Sequence, residues 1–294
     1  MTPLPAGATV ALATPLDENG ALDHTALAKL VARVVDGGMA GISPTGSTGE
    51  GPRLDRDTRV AVTRAVRECA PAGMPVVSGV PLSSVVEGLR ELELMAANGA
   101  TAALVAPPHY YPLTDGDAVG LYEHLADRSP IPLVLYNIPV YTKVRFAPHV
   151  VGTLAAHPNI AGIKDSSREM EYFQQVVAAT EGADFAVLTG SDTMLVASLL
   201  AGGHGTIAAS ANLVPELSSG ICRALQAGDL DGALTLQRRL QQVIHACRGG
   251  TPPAAWKAAL HHAGVCEPHL APPASGLGDA EYRTLVETLE ALGV

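Results

Sequence analysis

Short apolar runs that alternate with helical patterns are the feature that most restricts how this chain can fold. Eight runs rich in Val, Ile and Leu are closed by Gly, Pro, Ser, Thr or Asn. They recur at intervals of roughly 20 to 35 residues, the length of a βα unit. The runs cover 9–14, 41–45, 76–80, 103–106, 133–137, 161–165, 186–190 and 205–209. The helical patterns between them cover 24–36, 56–69, 85–98, 119–128, 148–156, 169–180 and 193–201.

The order of these patterns predicts a parallel α/β fold. Runs without polar alternation suit strands that are covered on both faces, and eight consecutive βα units favour a TIM (β/α)8 barrel. A doubly wound sheet is the alternative. After Asn212 only helical patterns follow, at 214–227, 230–247, 253–263 and 279–292. We therefore predict a barrel over residues 1–225 and a C-terminal helical extension over 226–294, in which the Pro-rich stretch 268–273 is a fixed connection.

Composition narrows the class of protein. A chain of 294 residues that is 47% hydrophobic and 16% charged can bury a large core. The net charge of −10 comes without a basic stripe, which argues against nucleic acid and anionic membranes as partners. The four cysteines are widely spaced and form no CxxC pair, which argues against a zinc site and a disulfide framework. Since no signal peptide or run of about 18 apolar residues is found, we expect a soluble, cytoplasmic protein.

Lys164 is unusual because it closes the apolar run 160–164, which has the pattern of a buried strand. The other lysines, Lys29, Lys143 and Lys257, fall in helix or loop patterns, where we expect the ammonium group to stay in water. Burial disfavours the ammonium form, and the neutral amine can condense with a carbonyl compound to give a Schiff base. A lysine at a strand end can also extend its ammonium group to solvent, so the neighbouring residues decide between the two interpretations.

A glycine-rich segment, residues 46–51, follows the second run. In a barrel the active site lies at the carboxyl ends of the strands. Exposed backbone N–H groups there, with the hydroxyls of Ser47 and Thr48, can bind a carboxylate or a phosphate. The alternative is a tight turn whose glycines only supply positive φ. The segment lacks the lysine of GxxxxGK[ST] and no GxGxxG follows a strand, so we favour a carboxylate site over a nucleotide site.

Two tyrosines lie at predicted strand ends. Tyr110 follows the fourth run and Tyr136 lies in the fifth. Most tyrosines simply pack with one edge in water. Beside a Schiff-base lysine, however, a phenol relayed through a Ser or Thr hydroxyl can move the protons that imine formation and carbon–carbon cleavage require.

Three segments together resemble the dihydrodipicolinate synthase and N-acetylneuraminate lyase superfamily. They are Gly46-Ser47-Thr48-Gly49-Glu50, Tyr136-Asn137-Ile138-Pro139 and Gly162-Ile163-Lys164-Asp165. The resemblance covers nearly the whole chain and includes 13–16, 107–112, 190–192 and 202–205. Members are class I aldolases, synthases or dehydratases that bind pyruvate or another 2-oxo acid as a lysine imine. The resemblance implies small-molecule 2-oxo acid and aldehyde substrates, no metal or organic cofactor, and a homo-oligomer, either a dimer or, more usually, a tetramer.

The resemblance also implies roles for individual residues. Lys164 would be the Schiff-base lysine and Tyr136 the general acid/base beside it. Ser47 and Thr48 would hold the substrate carboxylate, and Ser47 would relay protons between Tyr136 and Tyr110, which reaches across a dimer interface in this family. Further substrate contacts would come from Ile207, Ser166, Gly190, Asp192 and Tyr141.

Two departures from the family pattern bear on the substrate. Dihydrodipicolinate synthases carry an arginine two positions after the proline of Tyr-Asn-x-Pro, where this chain has Tyr141. A phenol donates only one hydrogen bond, so aspartate semialdehyde is less expected as a substrate. Arg145 lies nearby in sequence, but nothing in the sequence shows that it compensates. Sialic acid lyases carry a glutamate where this chain has Thr193. The Gly-Ser-Asp and Ala-Ala segments of this chain resemble those of aldolases that act on 2-keto-3-deoxy-gluconate-type sugar acids. This resemblance favours a 2-keto-3-deoxy sugar acid, with dihydrodipicolinate synthase, N-acetylneuraminate lyase or 2-oxo acid dehydratase activity as alternatives.

Two other classes of function compete with a Schiff-base lyase. A binding protein that keeps the fold but has lost turnover would explain the missing specificity residues. A metal-dependent aldolase or hydrolase is the other, but His261 and His262 are adjacent and no HExxH or His-x-His spacing occurs. We therefore expect no metal site.

Overall fold

The computed structural model describes Leu4 and residues 6–294. In this part of the chain the strands are β1 (Gly7–Ala11), β2 (Gly41–Ser43), β3 (Val77–Pro81), β4 (Ala102–Ala106), β5 (Leu133–Asn137), β6 (Ile160–Asp165), β7 (Ala186–Thr189) and β8 (Gly205–Ala208). The helices are α1 (His24–Asp36), α2 (Arg56–Cys69), α3 (Val85–Ala97), α4 (Asp115–Ala126), α5 (Pro139–Thr142), α6 (Pro148–Leu154), α7 (Met170–Ala179), α8 (Leu195–Leu200), α9 (Pro215–Gln226), α10 (Leu230–Ala246), α11 (Ala254–His262) and α12 (Asp279–Ala291).

The strands form a barrel. Their order is β2-β1-β8-β7-β6-β5-β4-β3, and the paired neighbours are parallel. A parallel bridge between Ile42 and Val76 joins the two ends of this sheet, and the Ile42 N–H donates to the Pro75 carbonyl over 3.0 Å. The (β/α)8 prediction is confirmed, and the doubly wound alternative is wrong because the first and last strands of the sheet meet.

Some element bounds differ from the sequence pattern. β1 begins and ends earlier than the run 9–14. Thr14 lies after the end of β1, where its hydroxyl donates to the Gly49 carbonyl over 2.7 Å. α4 begins at Asp115 rather than at 119, because Thr114 and Asp117 form a capping box ahead of the apolar residues. The short helix α5 was not predicted.

Alternate strand residues face opposite sides of the barrel wall. In β5, Val134 and Tyr136 belong to the cluster inside the barrel, whereas Leu133 and Leu135 pack against the surrounding helices. β6 pairs with β5 so that Lys164 lies opposite Tyr136. The two residues predicted to do chemistry are therefore neighbours across adjacent strands.

The C-terminal helices share the core of the barrel. Leu240 of α10, Leu260 of α11 and Leu285 of α12 belong to the same apolar cluster as Val10 of β1 and Ile42 of β2. The division of the chain after residue 225 stays a prediction. No helix in the described ranges is both long enough and apolar enough to span a bilayer.

Lys257 corrects an expectation from the sequence, because its ammonium group is not in water. This α11 side chain is 0% exposed, and its Nζ lies 2.7 Å from the Glu50 carboxylate, which is also 0% exposed. Lys257 also donates to the His269 carbonyl, and the Ala271 N–H donates to Glu50 over 2.9 Å. These bonds hold the Pro-rich stretch 268–273 against the barrel, as expected of a fixed connection.

Candidate active site

Lys164 is buried at the carboxyl end of β6. Its side chain is 4% exposed, and its Nζ lies 4.5 Å from the centroid of the Tyr136 ring. The interpretation that Lys164 extends to solvent is therefore wrong. The amine is held among side chains at the end of the barrel where active sites of this fold form.

Tyr136 connects Lys164 to the glycine-rich segment. The Tyr136 hydroxyl lies 3.3 Å from the Ser47 hydroxyl, and either oxygen is able to donate. Tyr136 itself is buried, whereas Ser47 and Thr48 are partly exposed. The structure thus brings together the predicted lysine, phenol and hydroxyl in one continuous arrangement.

Gly49 and Gly51 of the segment 46–51 serve close packing rather than positive φ. The left-handed residues are Thr45, with φ of 56°, and Glu50, with φ of 58°, while the glycines of the segment avoid that region. A Cβ on Gly49 would lie 2.7 Å from the Leu12 carbonyl oxygen, and one on Gly51 would overlap the Thr45 carbonyl. The tight-turn alternative therefore gave the wrong reason for these glycines. The close packing fixes the backbone that carries Ser47 and Thr48.

Glu50 connects the segment 46–51 to the C-terminal extension. Besides Lys257 and the Ala271 N–H, its carboxylate has Arg53 within 3.5 Å. The C-terminal extension therefore holds the loop that carries Ser47. The sequence prediction missed this contact, although Lys257 is a single charge within the apolar run 254–260 and that isolation was the available signal.

Asp165, next to Lys164, organises the loop after β6. Its carboxylate accepts hydrogen bonds from Asn137 Nδ2 at 2.7 Å and from the Ser167 N–H and hydroxyl at 3.1 and 2.9 Å. Burial raises the pKa of Asp165, and the bonds from Asn137 and Ser167 oppose that rise. These contacts fix the turn that follows the lysine.

Asp192 lies in a short 3-10 turn (Asp192–Met194) after β7 and is buried. One carboxylate oxygen accepts the Ser210 N–H at 3.0 Å, while the other has no hydrogen-bond partner among the described residues. Burial raises the pKa of Asp192, whereas hydrogen bonding from Ser210 and the charges of Lys164 and Arg168 oppose this rise. Asp192 thus holds one buried carboxylate oxygen without a partner among the described residues, and the charge of Lys164 acts on this carboxylate.

Gly190 gives Lys164 the space that it occupies. The Gly190 N–H donates to the Asp165 carbonyl over 2.7 Å. A Cβ on Gly190 would overlap the Ser166 hydroxyl and lie 2.7 Å from Lys164 Cε. Ser166, which is partly exposed, therefore lies beside the aliphatic part of the Lys164 side chain.

Replacing Gly190 by alanine is expected to displace the Lys164 side chain. Since small misplacements of a reacting group cost up to about 100-fold in rate, we expect turnover to fall by about that factor. Steady-state kinetics would measure it. Gly120→Ala on α4 is the matched control, because a Cβ at that position meets no atom within 4 Å. Equal activity of the two variants would contradict the packing argument.

The remaining predicted residues are less closely associated with Lys164. Tyr110 is 84% exposed and contacts Tyr111, with ring centroids 4.9 Å apart; it forms no hydrogen bond to Ser47 in the described part of the chain. Tyr141 is half-exposed on α5, and Ile207 of β8 is buried inside the barrel. No three His, Cys, Asp or Glu side chains of residues 4 and 6–294 lie close enough together to hold a metal ion.

An enzyme that uses a lysine amine as nucleophile forms a covalent imine with its carbonyl substrate and needs a proton donor and acceptor beside it. A lysine amine and a phenol, those of Lys164 and Tyr136, lie side by side at the carboxyl ends of β6 and β5. The fold and the site together define the class of (β/α)8 lyases of the class I, Schiff-base type.

Comparison with known proteins gives the family. The Dihydrodipicolinate synthetase family model matches residues 4–292, and the chain belongs to this family. Among curated relatives, the 4-hydroxy-tetrahydrodipicolinate synthase of Pseudomonas aeruginosa is 32% identical over 98% of this chain and 99% of its own length. That of Hyphomonas neptunium is 35% identical over 97% of each chain. The resemblance inferred from the motifs is confirmed, and the protein is a lyase of the aldolase type.

Solved structures agree with this assignment. YagE, a prophage protein of the dihydrodipicolinic acid synthase family from E. coli K12 solved with pyruvate, superposes with a TM-score of 0.93. It is 28% identical, with 98% of each chain covered. The chloride-inhibited dihydrodipicolinate synthase of Acinetobacter baumannii, also solved with pyruvate, has a TM-score of 0.94 and 28% identity, over 99% of this chain and 100% of its own.

Proposed function

We propose that Lys164 forms a Schiff base with pyruvate or a related 2-oxo acid and that the enzyme makes or breaks a carbon–carbon bond to an aldehyde. The observation that carries this proposal is the buried Lys164 amine, 4.5 Å from the Tyr136 ring centroid, with the Tyr136 hydroxyl 3.3 Å from Ser47. The complexes of YagE and of the A. baumannii enzyme with pyruvate support the choice of first substrate.

In the cleavage direction, the Lys164 amine attacks the ketone carbon of the substrate. The resulting carbinolamine oxygen takes a proton from the Tyr136 hydroxyl and leaves as water, which produces the iminium. The iminium accepts the electron pair of the breaking C3–C4 bond and becomes an enamine, while the Tyr136 oxygen takes the proton of the C4 hydroxyl and the aldehyde departs. Protonation of C3 and hydrolysis of the imine then release pyruvate and regenerate the amine.

Ser47 and Thr48 hold the carboxylate of the 2-oxo acid in this proposal. Both hydroxyls are partly exposed, and neither is tied to a carbonyl within the described ranges, so both are free to donate. The partly exposed Ser47 hydroxyl also links the buried Tyr136 hydroxyl to the surface of the protein. We propose that Tyr110 from a second copy completes this relay in a homo-oligomer, because Tyr110 is exposed in a single chain. The four free cysteines support a cytoplasmic location.

The second substrate is proposed to be the aldehyde part of a 2-keto-3-deoxy sugar acid. Tyr141 and Thr193 stand where the synthase arginine and the sialic acid lyase glutamate would be. The names of the P. aeruginosa and H. neptunium relatives make 4-hydroxy-tetrahydrodipicolinate synthase activity the alternative. Turnover of a keto-deoxy sugar acid in preference to pyruvate plus aspartate semialdehyde would distinguish the two.

Trapping the imine tests the proposed nucleophile. The protein is incubated with pyruvate and reduced with borohydride, which adds hydride to the C=N bond and leaves a stable secondary amine. We expect peptide mass spectrometry to find the reduced pyruvate adduct on Lys164.

The other lysines provide internal controls for this experiment. Lys29 and Lys143 are exposed, so non-specific reductive amination would label them as well. Lys257 is buried in an ion pair and serves as a protected lysine. A Lys164 peptide that stays unmodified, or label distributed over Lys29 and Lys143 alone, would contradict the proposal.

A further inference from the structure

The turn after β6 presents an arginine in an unusual backbone conformation. Arg168 has φ of 66°, in the left-handed region that non-glycine residues seldom adopt. The turn is fixed on both sides, because Ser167 bonds to the Asp165 carboxylate and the Glu169 N–H donates to the Ser167 hydroxyl over 3.2 Å. Such strained residues concentrate at functional sites, where surrounding contacts hold them in place. Arg168 is four residues beyond Lys164.

Arg168 is a free cation at the mouth of the barrel. Its side chain is exposed and has no hydrogen-bond or ion-pair partner in residues 4 and 6–294. β6 lies between β5 and β7, so the turn that carries Arg168 lies between the loop with Tyr141 and the loop with Asp192.

The charge of Arg168 lowers the pKa of one titratable group on each of the two neighbouring loops. Burial raises the pKa of Tyr141 and the nearby Tyr136 adds to that rise, whereas the charges of Arg168 and Arg53 oppose it. The pKa of Asp192 is likewise raised by burial and opposed in part by Arg168. One guanidinium therefore lies close enough to influence two groups on opposite sides of the Lys164 site.

The other arginines near this region are already engaged. Arg145 forms two bonds with Glu169, at 2.9 and 2.8 Å, and lies over the Tyr172 ring. Arg53 donates to the Pro252 carbonyl over 3.1 Å and lies 3.5 Å from the Glu50 carboxylate. Of these three guanidiniums, only that of Arg168 keeps its full set of donors for a ligand.

We propose that Arg168 binds a carboxylate on the aldehyde portion of the substrate, at the end remote from the imine. This inference rests on the proposed Schiff-base function and specifies its second substrate. A guanidinium pairs with a carboxylate through two parallel hydrogen bonds. The half-exposed Tyr141, on the loop after β5, adds its hydroxyl as a further donor. The substrate class is then a 2-keto-3-deoxy sugar acid that is a diacid, with a carboxylate at each end. Ser47 and Thr48 hold the first carboxylate, and Arg168 holds the second.

A matched pair of aldehydes tests this assignment. Succinic semialdehyde carries a terminal carboxylate, and its methyl ester has nearly the same shape without the charge. Aldol addition of pyruvate to each is followed in the wild type, Arg168→Gln and Arg168→Lys. Since bonds to charged groups are worth about 1.5–3 kcal/mol, we expect Arg168→Gln to lower kcat/KM for the semialdehyde by about 10- to 100-fold. The ester should be unaffected, and Arg168→Lys should restore part of the loss.

Two controls separate this inference from the proposed function. Borohydride trapping of pyruvate on each variant reports whether Lys164 still reacts, and Arg64→Gln removes an equal charge from an exposed position on α2. Trapping on Lys164 with equal kcat/KM in Arg168→Gln and wild type would overturn the role of Arg168 and leave the imine intact. Failure of trapping in the wild type would overturn the proposed function instead. If Arg168→Gln impairs only glyceraldehyde 3-phosphate, relative to glyceraldehyde, the carboxylate assignment is wrong.

Discussion

Replacing Tyr136 by phenylalanine is expected to lower kcat by about 100- to 10,000-fold, the range over which general acid–base groups contribute. The ring and its contact with Lys164 remain in this variant, whereas the hydroxyl that lies 3.3 Å from Ser47 is lost. Proton transfer to the leaving water and from the C4 hydroxyl then has no positioned group. Stopped-flow or steady-state kinetics on a 2-oxo acid substrate would measure the loss.

Tyr172→Phe is the matched control for this substitution. The Tyr172 hydroxyl is buried and has no hydrogen-bond partner in the described part of the chain, so its removal should leave kcat unchanged. Prolonged incubation with pyruvate and borohydride should still label Lys164 in Tyr136→Phe, because the amine remains in place. Wild-type turnover by Tyr136→Phe would show that another group moves the proton.

Replacing Lys257 by methionine is expected to lower the free energy of unfolding by about 3–5 kcal/mol, because the substitution leaves the buried carboxylate of Glu50 without its closest countercharge. The loss should also loosen the loop that carries Ser47, since Glu50 joins that loop to Ala271 and the C-terminal extension. Urea denaturation followed by circular dichroism would measure the change in stability.

A double variant distinguishes an unpaired charge from a simple packing defect. In Glu50→Gln with Lys257→Met the buried charge is gone, while the glutamine oxygen still accepts the Ala271 N–H. We expect most of the lost stability to return, as is usual when both members of a buried pair are neutralised. Lys29→Met, at an exposed site on α1, should change stability by no more than about 1 kcal/mol. A double variant no more stable than Lys257→Met would contradict the electrostatic explanation.

The sequence pattern predicted the ends of strands and helices correctly where adjacent residues determine those ends. β5 has the predicted bounds, Leu133–Asn137, because prolines at 132 and 139 enclose a continuous apolar run. α1 and α2 also have the predicted bounds, because Asp23 and Asp55 cap their first turns. The start of α4 was missed because polar residues form its first turn, and hydrophobic periodicity does not detect a turn that faces solvent.

The site was predictable to the extent that motifs specify it. Lys164, Tyr136 and Ser47 were assigned together from three segments, and the structure places them in contact because the strand register sets Lys164 opposite Tyr136. The roles of Glu50, Lys257 and Arg168 were not predictable in this way. These roles depend on the contacts of each side chain: Glu50 and Lys257 pair although they are distant in sequence, and Arg168 has no partner in the described part of the chain.

The amino-acid sequence therefore determined the barrel, the order of its units and the residues able to form an imine, because alternating apolar runs and strand-end motifs are properties of neighbouring residues. Only the tertiary structure decided which charges are buried in pairs and which remain free. Glu50 meets Lys257 across 207 residues of chain. Arg145, close to the site in sequence, is neutralised by Glu169, whereas Arg168 has no partner among the residues that the structure describes. The environment of a charge depends on the packing of distant segments, and no local pattern records it.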